Sequence, residues 1–186
     1  MKKIYPKEII MGKNISIKAL DLNLAQKMFD YVDEDRERLS KYLSWPPKIK
    51  SVMDEIMFIK GQQLKWTDYE LFSFAIFRNT DDEYLGNINA FSINWNSHHF
   101  EIGYWILGNF EGKGYMSEAV KLLINEFRDM GFNRITVRCD VQNKRSSKIP
   151  IKIGFKKEGI QRQVKRLNNK YRDLEVYSLT KDDPIN

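Results

Sequence analysis

Apolar residues alternate in "NISIKAL" (14–20), a pattern of period two that predicts a β-strand. Asp21 follows as a helix cap, and the pattern lengthens to a helix reaching about Tyr31. "DEDRERLSKYL" predicts a second helix, closed by "SWPP", where Pro46 and Pro47 cannot continue it. "SVMDEIMFIKGQQLKW" predicts a third, amphipathic helix with Ser51 at its N-cap. The period then falls back to two. "ELFSFAIFRN", "YLGNINAFSINW" and "HFEIGYWIL" are rich in aromatic and β-branched residues and predict an antiparallel meander, its first turn at "TDDE". A glycine turn and a helix to about Met130 come next, then the strand "NRITVRCDV". A short helix, "NKRSSKIPIKIGF", ends at Gly154, with Pro150 expected to kink or shorten it. "KKEGIQRQVKRLNN" and "YRDLEVYSLTK" predict a closing hairpin. This order predicts one α/β domain over residues 1–186, with a mixed, mostly antiparallel sheet of about seven strands and helices on both faces.

Composition narrows the function. With 186 residues, 42% hydrophobic and 30% charged, the chain reads as one soluble globular domain. No stretch reaches the length of a membrane span, and "MKKIYPKEII" lacks the apolar core of a signal peptide, so the expected compartment is the cytoplasm. A single cysteine (Cys139) and two histidines (His98, His99) exclude a disulfide framework and a Cys/His zinc site, and no metal is expected. Cys139 falls mid-strand and reads as a core thiol; the histidines read as turn residues. The formal net charge of +6 favours anionic partners, but no nucleic-acid-binding motif accompanies it.

The candidate chemistry starts at "FEGKGYMSEAVKLL" (110–123). A Walker A loop is excluded: three residues rather than four separate Gly108 from Gly112, and Gly114 stands where the hydroxyl must follow Lys113. A dinucleotide fingerprint is excluded because Ser117 occupies its third glycine position. What remains is a turn that converges backbone N–H groups on the positive end of a helix, beside Lys113: a cradle for a pyrophosphate that needs no metal. The helix itself is core, with Met116, Ala119, Val120, Leu123, Ile124 and Phe127 on one stripe.

"EIGYWILGNFEGKGYMSEAVKLL", "NRITVRCDVQNKRSSKIPIKIGFKKEGI" and "YRDLEVYSL", in that order, resemble the GNAT superfamily of acetyl-CoA-dependent N-acetyltransferases. "YLSWPP" is similar to the RimJ/RimL branch, which acetylates ribosomal-protein N-termini. The resemblance covers most of the chain and is strongest from Tyr84 to Leu179, so the cofactor core is expected at about 84–180. It implies a pyrophosphate loop at Glu111, Gly112, Lys113, Gly114, Tyr115 and Met116. Two positions depart from the family pattern: Glu111 stands for Gln/Arg, and Met116 for Gly/Ala. It implies pantetheine pairing by main-chain groups near Ile106 and Leu107, and a place beside the CoA thiol for Asn143 and Ser146. Ser146 is then the proton donor to the leaving thiolate, although Asn143 also reads as a plain N-cap. Glu101 falls where several members carry a general base, which the chemistry requires because an ammonium must lose a proton before it attacks a thioester. Glu70 is a weaker candidate, and Trp45 and Trp105 are candidate walls of the acceptor groove. The implied reaction is direct acetyl transfer from acetyl-CoA to a primary amine in a ternary complex. The expected acceptor is a protein N-terminus such as that of a ribosomal protein. A polyamine, aminoglycoside or amino-acid acceptor, and a non-catalytic CoA sensor, are the alternatives. A homodimer is expected from the resemblance.

Overall fold

The computed structural model of the chain describes residues 2–186. Eight strands form one sheet: β1 (Ile9–Met11), β2 (Ile15–Ala19), β3 (Phe72–Arg78), β4 (Glu83–Asn94), β5 (His99–Ile106), β6 (Arg134–Asp140), β7 (Lys156–Leu167) and β8 (Lys170–Thr180). Their order is β1-β2-β3-β4-β5-β6-β8-β7. Among the described residues, five α-helices complete the fold: α1 (Ala25–Glu34), α2 (Arg36–Ser40), α3 (Val52–Thr67), α4 (Tyr115–Asp129) and α5 (Lys144–Ile153). The expected strands and helices are all present. The additional strand is β1, whose three residues "IIM" are too few to show a period; it pairs with β2 from Ile9↔Lys18 to Met11↔Ser16.

Local chemistry sets the helix boundaries. Asp21 Oδ1 accepts the N–H of Asn23, but it caps a 3-10 turn at Leu22–Leu24 that leads into α1. Ser51 and Asp54 form a reciprocal capping box at the start of α3. The middle of the sheet is buried on both faces because successive residues of β3, which point to opposite faces, are nearly all buried. Phe72, Phe74 and Ile76 of β3 join the core under α4, where Val120, Leu123 and Phe127 are wholly buried. Ala75 and Phe77 face the other way, against Met28 of α1 and Ile59 of α3.

One pairing breaks the antiparallel rule. β5 and β6 run parallel, joined by α4 as a crossover. They pair only from His99↔Arg134 to Ile102↔Val137, although β5 runs on to Ile106 and β6 to Asp140. Past Ile102 the strands part, and the C-terminal half of β5 has β4 on one side and no strand on the other.

Candidate active site

The gap between β5 and β6 opens a cleft of about 1280 Å³, walled by α2, the ends of both strands, the Gly112–Gly114 turn and the first turns of α4 and α5. Strand alternation decides what enters it. Phe100 and Ile102 lie in the α4-side core, with Tyr104 packed against it, so Glu101, Gly103 and Trp105 face the α1–α3 side. The same count on β6 puts Val137 and Cys139 on the α4 side and Arg138 opposite. The cleft therefore connects the two faces of the sheet through the gap.

At the glycine turn, Gly112 (φ 76°) and Gly114 (φ 86°) both lie in the left-handed region. A Cβ at either would meet nothing within 4 Å, so backbone conformation, not crowding, calls for glycine. Gly114 caps α4, whose first intrahelical bond runs from Glu118 N to Gly114 O. The N–H groups of Tyr115, Met116 and Ser117 therefore have no partner within the helix, and the turn opens onto the cleft. Unpaired N–H groups at the positive end of a helix have the chemistry that an anion such as a diphosphate requires. The Met116 departure is absorbed by the core: its side chain is 6% exposed and packs with the α4 stripe.

The Glu111 departure has another resolution. Its Oε1 accepts from Arg38 Nη1 of α2 at 2.5 Å, and its Oε2 is bonded to Arg145 Nη1 of α5. Arg38 also donates from Nε to Asp35 at 2.8 Å and from Nη2 to Ile106 O at 2.6 Å. Asp35 Oδ2 in turn accepts the N–H of Gly108 at 2.9 Å. One network thus joins α2, the end of β5, the glycine turn and α5.

Of the two strand residues expected to meet pantetheine, only Ile106 faces the gap. The N–H of Leu107 donates to Leu85 O at 3.0 Å, and its carbonyl accepts from Phe110 N at 3.0 Å. Both polar groups of Leu107 are thus used within the fold. In an antiparallel ladder, alternate residues point to opposite neighbours, which turns the main-chain groups of Tyr104 and Ile106 to the open side.

Glu101 and Ser146 both line the cleft, from opposite faces. Phe91 lies cross-strand from Glu101, whose Oε1 accepts from Arg138 Nε at 2.8 Å; the Glu101 side chain in this ion pair is 14% exposed. Oε2 has no protein partner among the described residues. Glu70 is exposed at the start of β3 and does not line the cleft, which removes it as a base. Trp105 lines the cleft, with the Trp45 ring tilted against it at 5.7 Å between ring centroids.

On the far face, Asn143 Oδ1 accepts from Ser146 N at 3.2 Å, the N-cap that its position predicts. Ser146 Oγ lies 3.3 Å from Cys139 Sγ and 3.3 Å from Tyr104 Oη. Cys139 is buried, as expected, yet it borders the cleft. Burial pushes its thiol up from the ordinary value, which keeps it protonated and makes it a poor nucleophile.

Pro150 does not end α5; the helix runs through it to Ile153. Its cost is local. Proline has no N–H, so the carbonyl four residues earlier, Ser146 O, lacks its helical donor. Tyr104 Oη supplies the missing bond at 2.9 Å. Burial pushes the Tyr104 phenol well above its usual range, so the donor stays protonated at any ordinary pH. Tyr104, Arg38, Arg138 and Arg145 are the site residues that sequence reasoning missed.

A sheet that parts at the single parallel pair, with a glycine-capped helix aimed at the gap, defines a class of acyl-group transferases. The family of acetyltransferase (GNAT) domains matches residues 16–156, and the chain belongs to that family. It is an acetyl-CoA-dependent N-acetyltransferase. Its relatives include the ribosomal-protein-serine acetyltransferase of Escherichia coli (strain K12), 26% identical over 171 residues, covering 91% of this chain and 94% of the relative. The microcin C7 self-immunity acetyltransferase MccE, solved with acetyl-CoA and AMP, is 25% identical, with a TM-score of 0.87 over 91% of this chain and 93% of that one. The ribosomal L7/L12 α-N-protein acetyltransferase RimL, solved with coenzyme A, has the same fold at a TM-score of 0.88 over 93% of this chain and 98% of its own, with 24% identity.

Proposed function

We propose that this protein transfers acetyl from acetyl-CoA to a protein N-terminal α-amine, such as that of a ribosomal protein, by direct attack in a ternary complex. The observation that carries this reading is the cleft itself, open to both faces of the sheet, with the anion cradle and Ser146 on one side and Glu101 on the other. Two substrates that enter from opposite faces meet in the gap and need no covalent relay. The acceptor class is supported by the similarity to a relative named as a ribosomal-protein-serine acetyltransferase.

The N–H groups of Tyr115, Met116 and Ser117 hold the pyrophosphate, assisted by the helix dipole. The open main-chain edge at Tyr104 and at the N–H of Ile106, whose carbonyl Arg38 already holds, pairs with the pantetheine arm and donates to the developing oxyanion. The amine arrives on the α1–α3 side, beside Trp105. Arg138 fixes Glu101 through Oε1, and Oε2 is free to receive the proton of the ammonium. The neutral amine attacks the thioester carbonyl, the carbon–sulfur bond breaks, Ser146 Oγ passes its proton to the thiolate, and the serine recovers a proton from the attacking nitrogen, which is left as a neutral amide. Tyr104 Oη, bonded to both the carbonyl and the Oγ of Ser146, holds that hydroxyl in place.

The test is CoA release, followed with a thiol reagent, on a panel of acceptors: peptides beginning Ser, Ala, Thr or Met, together with spermidine, an aminoglycoside and free amino acids. Turnover on the peptides, slowed about 10²-fold in Glu101→Gln with acetyl-CoA binding retained, supports the reading. Turnover confined to the small amines replaces the acceptor class. CoA binding without any turnover replaces the enzyme with a CoA sensor.

A further inference from the structure

A carboxylate at the rim of a pyrophosphate cradle opposes its ligand, unless its charge is already in use. Glu111 is held between two arginines from opposite walls of the cleft, Arg38 of α2 and Arg145 of α5. The two differ in their other attachments. Arg38 is fixed by Asp35 and by Ile106 O, and keeps both bonds without Glu111. Arg145 has Glu111 as its only ion-pair partner among the described residues, its side chain is 80% exposed, and it lines the cleft beside the glycine turn. An exposed arginine held by one carboxylate exchanges that partner readily, because such pairs contribute little on their own.

The geometry points to Arg145 as a pyrophosphate-binding residue that Glu111 holds in reserve. Glu111 is a stand-in anion. In the free protein it holds the Arg145 guanidinium across the mouth of the cleft. When a diphosphate settles on the N–H groups of Tyr115, Met116 and Ser117, it takes Arg145 over, and Glu111 remains paired with Arg38. Guanidinium and phosphate oxygens match as a fork of parallel bonds, which favours the exchange. The handover leaves Arg38 undisturbed, so the end of β5 stays fixed while the mouth changes partners. The inference rests on the proposed pyrophosphate position at the Gly112–Gly114 turn and adds to it a residue outside the loop motif.

The test is calorimetric binding of acetyl-CoA and of acetyl-pantetheine, which lacks the diphosphate and adenosine, to the wild type, Arg145→Ala, Arg145→Lys, Glu111→Gln and the Arg145→Ala/Glu111→Gln pair. Arg145→Ala is expected to weaken acetyl-CoA about tenfold and to leave acetyl-pantetheine unchanged. Arg145→Lys recovers part of the loss, because charge without the fork is retained. Glu111→Gln tightens acetyl-CoA severalfold, and the gain shrinks when Arg145 is absent. Unchanged acetyl-CoA affinity in Arg145→Ala overturns the inference, and so does weaker binding in Glu111→Gln, which makes the carboxylate a scaffold rather than a stand-in. Equal affinity of the wild type for the two ligands overturns the pyrophosphate position itself. A wild-type preference for acetyl-CoA that Arg145→Ala retains undiminished overturns the role of Arg145 alone.

Discussion

Removal of the Tyr104 hydroxyl is expected to destabilise the protein only as long as residue 150 is proline. Tyr104→Phe keeps the ring, its packing and its burial, and deletes the bond to Ser146 O. That carbonyl has no helical donor because Pro150 lacks an N–H, so it loses its one intramolecular partner in a half-buried place. An orphaned polar group of this kind costs about 1–3 kcal/mol. Pro150→Ala restores the N–H, and Ser146 O then has a helical partner whether or not Tyr104 carries its hydroxyl. Urea denaturation of the four proteins of the cycle measures the difference. The expected result is a cost of about 2 kcal/mol for Tyr104→Phe in the natural background and under about 1 kcal/mol in the Pro150→Ala background. Equal costs in both backgrounds refute the reasoning, because the hydroxyl is then not a substitute for the missing helical bond.

Three further outcomes follow from the same geometry. Glu55 of α3 is 2% exposed, its Oε1 has no partner, and burial pushes its carboxyl up to about 7. Its folded pKa lies above its unfolded one, so its stabilising contribution is complete below about pH 4.5 and lost as pH rises through 7. Glu55→Gln is therefore expected to raise the unfolding free energy at pH 8 by about 1–3 kcal/mol and to leave it unchanged at pH 4, as read from urea titrations at the two values. Gly114→Ala forces a Cβ into a residue at φ 86° with open space around it. It is expected to cost about 1 kcal/mol of stability and to raise the KM for acetyl-CoA, because Gly114 lines the cleft and relief of the strain shifts the N–H groups that follow it. Arg38→Ala removes the pin on Ile106 O and is expected to lower kcat more than it raises the KM for acetyl-CoA; the reverse split contradicts a positioning role for Arg38.

The elements whose periods are long enough to count were legible in the sequence: the amphipathic helices α3 and α4, the meander β3–β4–β5 and the closing hairpin. β1 was not, because three residues define no period and its place is set by pairing with β2. The glycine turn was legible because Gly112 and Gly114 mark a backbone that other residues avoid. The surroundings of Glu111 were not. Arg38 lies 73 positions away and Arg145 34, and a charge pair at such separation leaves no local pattern. The same holds for Arg138, 37 positions from Glu101. Pro150 shows a third kind of gap. Its effect on the helix ladder is legible, but the group that compensates, Tyr104 Oη, comes from a strand 42 positions from Ser146 and is visible only once β5 has parted from β6.

The most direct test of the central claim is intact-mass analysis of enzyme and acceptor in the same mixture. The protein is incubated first with acetyl-CoA alone, then with a peptide carrying a free N-terminal amine and an internal lysine, and the modified residue is mapped. Direct transfer to an α-amine predicts an enzyme whose mass never changes and a peptide acetylated once, at its N-terminus. An enzyme that gains an acetyl group before the peptide is added, and passes it on when the peptide arrives, contradicts the direct transfer. Acetylation confined to the lysine contradicts the acceptor.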